Sequence, residues 1–543
     1  MRRCVWVKLV ALILLRSLAL AQEHGIRTAE EPAPILPGLG DYHHPIATQS
    51  AAAQRFFDQG LTLVYAFNQE EALRSFLHAA QLDPASPMPV WGVALAVGPN
   101  YNLEINPDRE KVAYKAIQEA RRLAAAAPEK ERAYVEALSR RYSADDRPDF
   151  QALNRNYRNA MRELARRYPD DPDAATLYAE SIMDLHPWSL WTAAGPTEDT
   201  TELLEVLQAV LRQDTRHPGA NHFYIHAIEA SPHPEMALPS AHVLETLIPA
   251  AGHLLHMPSH IYVRLGKYAE AVKSNEEAAH ADRDYLRAAQ MQDSVYGRMY
   301  YSHNLQFLWI LAGTMGKFSE ARQAADELWA NVSPAVKRMP MLEPLLAGPA
   351  LVRVRFQRWD DILNLPVPDI SLTASNAFWR YSRGVAFSAK GALAKAQAER
   401  QQLAALVAQQ PAAGHNLAPD VPALALEVLD ARIADARGDR HAALAHWRRA
   451  VEMQDALPYS EPPDWYYPVR ESLGGELARD IQYAEAEKVF RADLKRNPGN
   501  PRSLFGLFEA LTAQNKADAA RPVQKQFQEA WKYAEGKLRL KDL

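Results

Sequence analysis

Cysteine is all but missing: Cys4 is the single example in 543 residues, and it lies inside an apolar leader. Once that leader is removed, the chain has no disulfide, no thiolate metal ligand and no attachment point for covalent haem. Long apolar runs are missing as well. The run Leu9 to Leu15 is short and broken by Arg16, and no later stretch approaches the ~20 residues of a membrane-spanning helix. Strand-like alternation of apolar and polar residues is nearly absent. There is no G-x-x-x-x-G-K-[ST] phosphate loop, no G-x-S-x-G elbow and no H-E-x-x-H helix, so hydrolysis by those routes has no support.

What is present begins with Arg2, Arg3 and Lys8, the apolar run, and Ala19-Leu20-Ala21 before Gln22. That layout predicts a secretory signal over residues 1–21, cleaved after Ala21, and export to the periplasm or the cell exterior. The residues around Arg2-Arg3 fit a twin-arginine signal poorly. The leader carries four basic residues and no acids, so its loss takes the formal charge from −5 to −9. An acidic balance of this size argues against nucleic acid and anionic membrane surfaces as partners.

The remainder reads as helix after an extended lead-in over 22–52 rich in Pro, Glu and Gly. Ala72, Phe76, Ala79 and Pro84 recur in part as Ala443, Trp447 and Ala450, and as Ala486, Phe490 and Pro498. Gly60 supplies the small residue where one helix crosses its partner. Glycine turns repeat at Gly266-Lys267-Tyr268 and Gly316-Lys317-Phe318. This pattern resembles the tetratricopeptide repeat. The resemblance implies an all-α superhelical solenoid of α/α helix pairs with a concave groove. Three helical sections are expected, over 53–171, 172–322 and 323–543, with units starting near 172, 218, 252 and 501 among others. Residues 99–171 keep helical periodicity but fit the repeat poorly. A loop is expected between 192 and 202, and a long second helix before Tyr300.

Gly40-Asp41-Tyr42-His43-His44-Pro45-Ile46, Ala66-Phe67-Asn68, Gly98-Pro99-Asn100-Tyr101-Asn102 and Glu461 to Arg470 resemble stretches of an exported bacterial tetratricopeptide family without an assigned activity. That family's pattern has a histidine where this chain has Gln69.

The most informative feature is an echo. His222 and His256 stand 34 positions apart, as do His226 and His260, and 34 is the tetratricopeptide period. Each pair is spaced i, i+4, which brings both rings to one helix face. His253, Glu229 and His303 fall on the same stripe of neighbouring units, and Glu180 and Asp184 come from the unit upstream. The tetratricopeptide resemblance implies that this stripe lines the groove. An i, i+4 histidine pair completed by imidazole or carboxylate from a facing helix is a transition-metal donor set. Without thiolates it suits zinc, iron, manganese or copper(II). A buried hydrogen-bond network and a polar ligand-binding groove are the other two readings of the same residues. Pro258, between His256 and His260, removes a backbone donor and disfavours a straight helix.

Further groove candidates are Trp188 with Trp191, Arg264, Trp465 and Arg470, while His43-His44 read as exposed in the lead-in. Three functions compete. One is a binding protein that holds a protein, peptide or small ligand in its groove, with a metal centre in the floor. The second is a metalloenzyme with Glu180, Asp184 or Glu229 as base and Arg264 or Arg470 orienting an anionic substrate. The third is a plain scaffold.

Overall fold

The computed structural model describes residues 33–192, 194–409 and 420–543. The signal expected over 1–21 lies outside them. Among the described residues the only strands are Trp191–Thr192 and Gly195–Pro196, a two-residue antiparallel pair at the start of the loop expected between 192 and 202. Everything else regular there is helical, and among the described residues no helix is long and apolar enough to cross a membrane. The fold is all-α, a tetratricopeptide-type solenoid built from α/α helix pairs.

The chain forms two compact units. The first runs to Ile261 and adds His280–Gly297; the second is Tyr262–Ala279 with Arg298–Leu543. The division falls inside the 172–322 section. The long helix expected before Tyr300 is Tyr268–Ala289.

Helix starts follow local chemistry. Helices Pro172–Met183, Pro218–Ile228 and Pro501–Ala513 each place proline first, where a missing N–H costs nothing. Each is preceded by a side chain that accepts from the first turn: Asp171 from Asp173 N (3.1 Å), His217 Nδ1 from Ala220 N (3.1 Å) and Asn500 from Arg502 N (3.1 Å). Pairs then lock by small-on-large packing. In the first unit the buried ring of Phe76 lies where a Cβ would sit on Gly60 and on Gly92. In the second unit Phe490 fills the same role between Gly474 and Gly506. The poorly patterned stretch 99–171 continues the stack with helices Pro107–Ala124, Glu129–Ser139 and Phe150–Arg167.

The described part of the lead-in is extended but pinned to the first unit. Leu36 N donates to Gln59 Oε1 at 2.8 Å, and Ala250 N to Gly38 O at 3.0 Å. His44, expected to be exposed, is buried, with Nδ1 2.6 Å from Asp173 Oδ2. Burial alone would depress its pKa, but the Asp173 carboxylate outweighs that and raises it. His43 stays at the surface beside Asp58 (2.8 Å).

Candidate metal centre

Every residue of helix Pro218–Ile228 is buried, so its two histidines are held within protein on all sides. His222 Nδ1 lies 2.6 Å from the carbonyl oxygen of Tyr65. A carbonyl only accepts, so Nδ1 carries the proton and Nε2 presents a lone pair. Burial, with the neighbouring His226, holds the His222 pKa well below the ordinary value, which keeps the ring neutral.

One turn on, His226 Nδ1 lies 3.0 Å from Glu229 Oε1. The other oxygen, Oε2, accepts from Nδ1 of His260 in a close contact. Burial works to raise the Glu229 pKa, but the His260 and His226 imidazoles outweigh it and bring it down to about 2. Glu229 is therefore an ionised acceptor for two imidazole N–H groups. His226 in turn is lowered by burial despite the Glu229 charge. Its Nε2 is buried with no hydrogen-bond partner.

The third imidazole belongs to His253, on helix Gly252–His256, whose backbone N donates to Tyr296 OH at 3.1 Å. That hydroxyl donates to Asp282 at 2.8 Å. His253 Nε2 is 3.1 Å from His222 Nε2. Ligand nitrogens of His222, His226 and His253 all lie within 4.8 Å of one another. Two nitrogens bonded at about 2.0–2.1 Å to one tetrahedral ion stand about 3.3 Å apart, a spacing that the His222–His253 pair approaches.

Pro258 breaks the helix as its chemistry requires. Gly252–His256 ends, and a new helix, Pro258–Arg264, begins on the proline. Met257 keeps right-handed helical angles (φ −53°, ψ −36°), so the spacing of His256 and His260 survives. Their Nε2 atoms are 2.7 Å apart. The two echoing pairs meet: the rings of His226 and His260 are 5.5 Å apart and share Glu229.

Aromatic rings wall the centre. Phe67, held at φ +55°, lies 4.5 Å from the His222 ring and 5.5 Å from that of His253. Tyr101 stands 5.3 Å from His226 and Trp188 6.0 Å. Phe67 and Tyr101 are buried, whereas Trp188 is 41% exposed, so the wall is thinnest there. Trp191 anchors to the Ala227 carbonyl at 2.7 Å. Neither the Tyr65 carbonyl nor the two aromatic walls Phe67 and Tyr101 was assigned a part from sequence, although Ala66-Phe67-Asn68 and the 98–102 stretch stood out there.

Glu180 and Asp184, expected as further ligands, are not brought to the imidazoles. Asp184 forms a buried ion pair with Arg141, which comes from the section that fitted the repeat poorly. Glu180 sits in the same buried group, its pKa raised by burial and by the Asp184 charge. Nor is Glu229 free to act as a base, since both oxygens hold imidazole protons.

The remaining candidates lie in the second unit. His303 is on helix Tyr301–Thr314 with its ring 5.0 Å from Phe307. Arg264 stands over the Tyr459 ring at 5.5 Å. Trp465 is buried edge-on to Tyr381, and Arg470 grips Asp455 through two bonds of 2.7 and 2.5 Å.

No protein-family model and no curated protein matches the sequence. Solved structures of low similarity include the human IFIT1 dimer with m7Gppp-AAAA, at 12% identity over 89% of this chain and 91% of that one, with a TM-score of 0.36. Yeast Tom70 is 12% identical over 89% and 95%, with a TM-score of 0.29. The P58(IPK) TPR domain is 10% identical over 86% and 99%, with a TM-score of 0.23. At these values the likenesses bear on neither ligand nor partner.

Proposed function

We propose that this is an exported helical-repeat binding protein whose first unit holds a divalent transition metal on the Nε2 atoms of His222, His226 and His253. The observation that carries the reading is the state of His226. Its Nδ1 proton is committed to Glu229, and its buried Nε2 lone pair has nothing to accept from. An unsatisfied buried acceptor costs about 1–3 kcal/mol, a cost that an ion at Nε2 removes. Glu229 and the Tyr65 carbonyl play the outer-shell part, fixing tautomer and ring orientation.

All-imidazole donation suits zinc, copper(II) and iron. Manganese ranks behind them, because the carboxylate beside His226 and His260 is already engaged. The leader pattern over 1–21 supports a periplasmic or extracellular setting, and the stacked helix pairs support a protein, peptide or small ligand as the groove's occupant. The acidic balance disfavours nucleic acid.

Three protein ligands favour a second reading, a metal-dependent hydrolase or oxygenase. When bound, the metal would supply an open coordination position for water or a substrate oxygen. On that reading the chain's own residues orient the imidazoles and exclude solvent behind Phe67 and Tyr101. The test of binding is metal analysis of protein purified without chelators, followed by titration of the stripped protein with zinc and cobalt(II). A bound ion in near-unit ratio supports the proposal, and no binding by either ion overturns it. The enzymatic reading needs, in addition, a turnover that disappears in His222→Ala.

A further inference from the structure

Within the first unit, Tyr65 is fixed at three points. It ends helix Ala51–Tyr65, where a carbonyl has no N–H from its own helix to accept, and that oxygen takes the His222 Nδ1 proton at 2.6 Å. Its ring lies where a Cβ would sit on Gly219, the second residue of the helix that carries His222 and His226, and 6.0 Å from the Phe223 ring. Its hydroxyl donates to Asp173 Oδ1 in a close contact. The whole side chain is buried.

Asp173 collects further donors. The Tyr42 hydroxyl of the lead-in donates to Oδ1, and His44 Nδ1 lies 2.6 Å from Oδ2. His217 joins from the residue just before the histidine helix. Its Nδ1 accepts from Ala220 N at 3.1 Å, so Nε2 carries the proton, and Nε2 reaches the Tyr42 oxygen at 3.2 Å and Asp173 Oδ1 at 3.3 Å. Burial alone would raise the Asp173 pKa, but His44 and His217 outweigh it and hold the carboxyl well below its ordinary value. Asp171, two residues earlier, is spent on the Tyr134 hydroxyl (2.8 Å) and Lys130 (2.7 Å), so the lead-in and the histidine helix meet on Asp173.

We infer that Asp173 is a positioning residue for the His222 and His226 imidazoles, acting through Tyr65 and His217, and that Tyr42 and His44 of the lead-in complete this support. The part it plays in metal binding rests on the function proposed above. Two arms leave the carboxylate for the same helix. One runs through the Tyr65 hydroxyl and ring to the Tyr65 carbonyl and His222. The other runs through His217 to the first turn of helix Pro218–Ile228. Hydrogen bonds to an ionised acceptor are stronger than neutral ones, and burial strengthens them further. The imidazoles are thereby aimed before any ion arrives, which is what an outer shell contributes to affinity.

The full chain should be compared with Tyr65→Phe, which deletes one hydroxyl, and with Asp173→Asn, which removes the charge. NMR with isotopically labelled histidine nitrogens reads the His222 tautomer in metal-free protein, and competition with a chromogenic chelator reads zinc affinity. The Nδ1–H tautomer is expected in the wild type and a mixture of tautomers in both variants, with zinc affinity lowered about tenfold or more. Tyr157→Phe is the control: its hydroxyl is buried in the same unit with no partner, and its loss should move neither readout. Circular dichroism checks folding, and should Asp173→Asn not fold, Tyr65→Phe decides alone. An unchanged tautomer in Tyr65→Phe, or zinc affinity equal to that of the wild type, would overturn the inference. A chain that binds no zinc yet shows the change of tautomer would overturn the metal reading and uphold the positioning.

Discussion

Glu229 Oε1 lies 3.0 Å from His226 Nδ1, and that contact decides what the opposite side of the imidazole can do. With its proton held by the carboxylate, His226 has a lone pair at Nε2 directed into a buried cluster of like rings. The same carboxylate serves His260, so one side chain sets the tautomer of a histidine from each echoing pair.

Replacing that carboxylate by an amide is accordingly the sharpest outer-shell perturbation. Glu229→Gln keeps the size but loses the charge, and it offers only one acceptor to two imidazoles. Zinc affinity, measured by competition with a chromogenic chelator, should fall about 10- to 100-fold. Unchanged affinity would remove Glu229 from the account.

Trp188 offers an optical report. Its ring is 6.0 Å from that of His226 and is part-exposed. Copper(II) bound at the centre should quench part of the tryptophan emission, and Trp188→Phe should abolish most of the quenched fraction while leaving the stoichiometry intact. Equal quenching in the variant would place the ion elsewhere.

Phe76 is predicted to be a stability determinant of the first unit. It is fully buried, and its ring occupies the space that side chains at Gly60 and Gly92 would need. Phe76→Ala should cost about 3–5 kcal/mol in denaturant unfolding. A loss well under 1 kcal/mol would mean that the helix pair does not depend on this packing.

Asp493 gives the second unit a pH dependence of defined sign. Burial, aided by the Glu471 charge, raises its pKa from 3.8 to about 6, while Ser503, Asn497 and Asn500 donate to it. Between those values the folded chain holds a proton that the unfolded chain has lost, so stability falls as pH rises through the window. The full change is on the order of 3 kcal/mol. Asp493→Asn should flatten this segment of a stability-versus-pH curve measured by urea unfolding. A slope that persists unaltered would assign it to another group.

The repeat register was legible in sequence because it is a matter of spacing: 34 residues carried His222 to His256 and His226 to His260, and the structure brings His226 and His260 together. Counting along the repeat likewise placed unit starts near 172, 218 and 501, where helices begin on Pro172, Pro218 and Pro501. What spacing could not supply was competition among side chains. Asp184 has the right periodicity for the cluster, yet a guanidinium forty-three residues upstream takes it, and Arg141 lies where no repeat pattern was readable. His44 departs from expectation for the same reason: its loop setting is visible in sequence, whereas its bond to Asp173, across 129 positions, is not. Nor can a sequence pattern point to a backbone acceptor such as the Tyr65 carbonyl, because every residue has one.

The most direct test of the central claim is the metal content of the purified chain beside that of His222→Ala/His226→Ala, taken together with the cobalt(II) absorption spectrum of each. Near-unit metal and ligand-field bands of a four-coordinate nitrogen site are predicted for the wild type, and both should vanish in a folded double variant. Equal metal content and identical spectra in the two proteins would contradict the account and leave the imidazoles as a buried hydrogen-bond network.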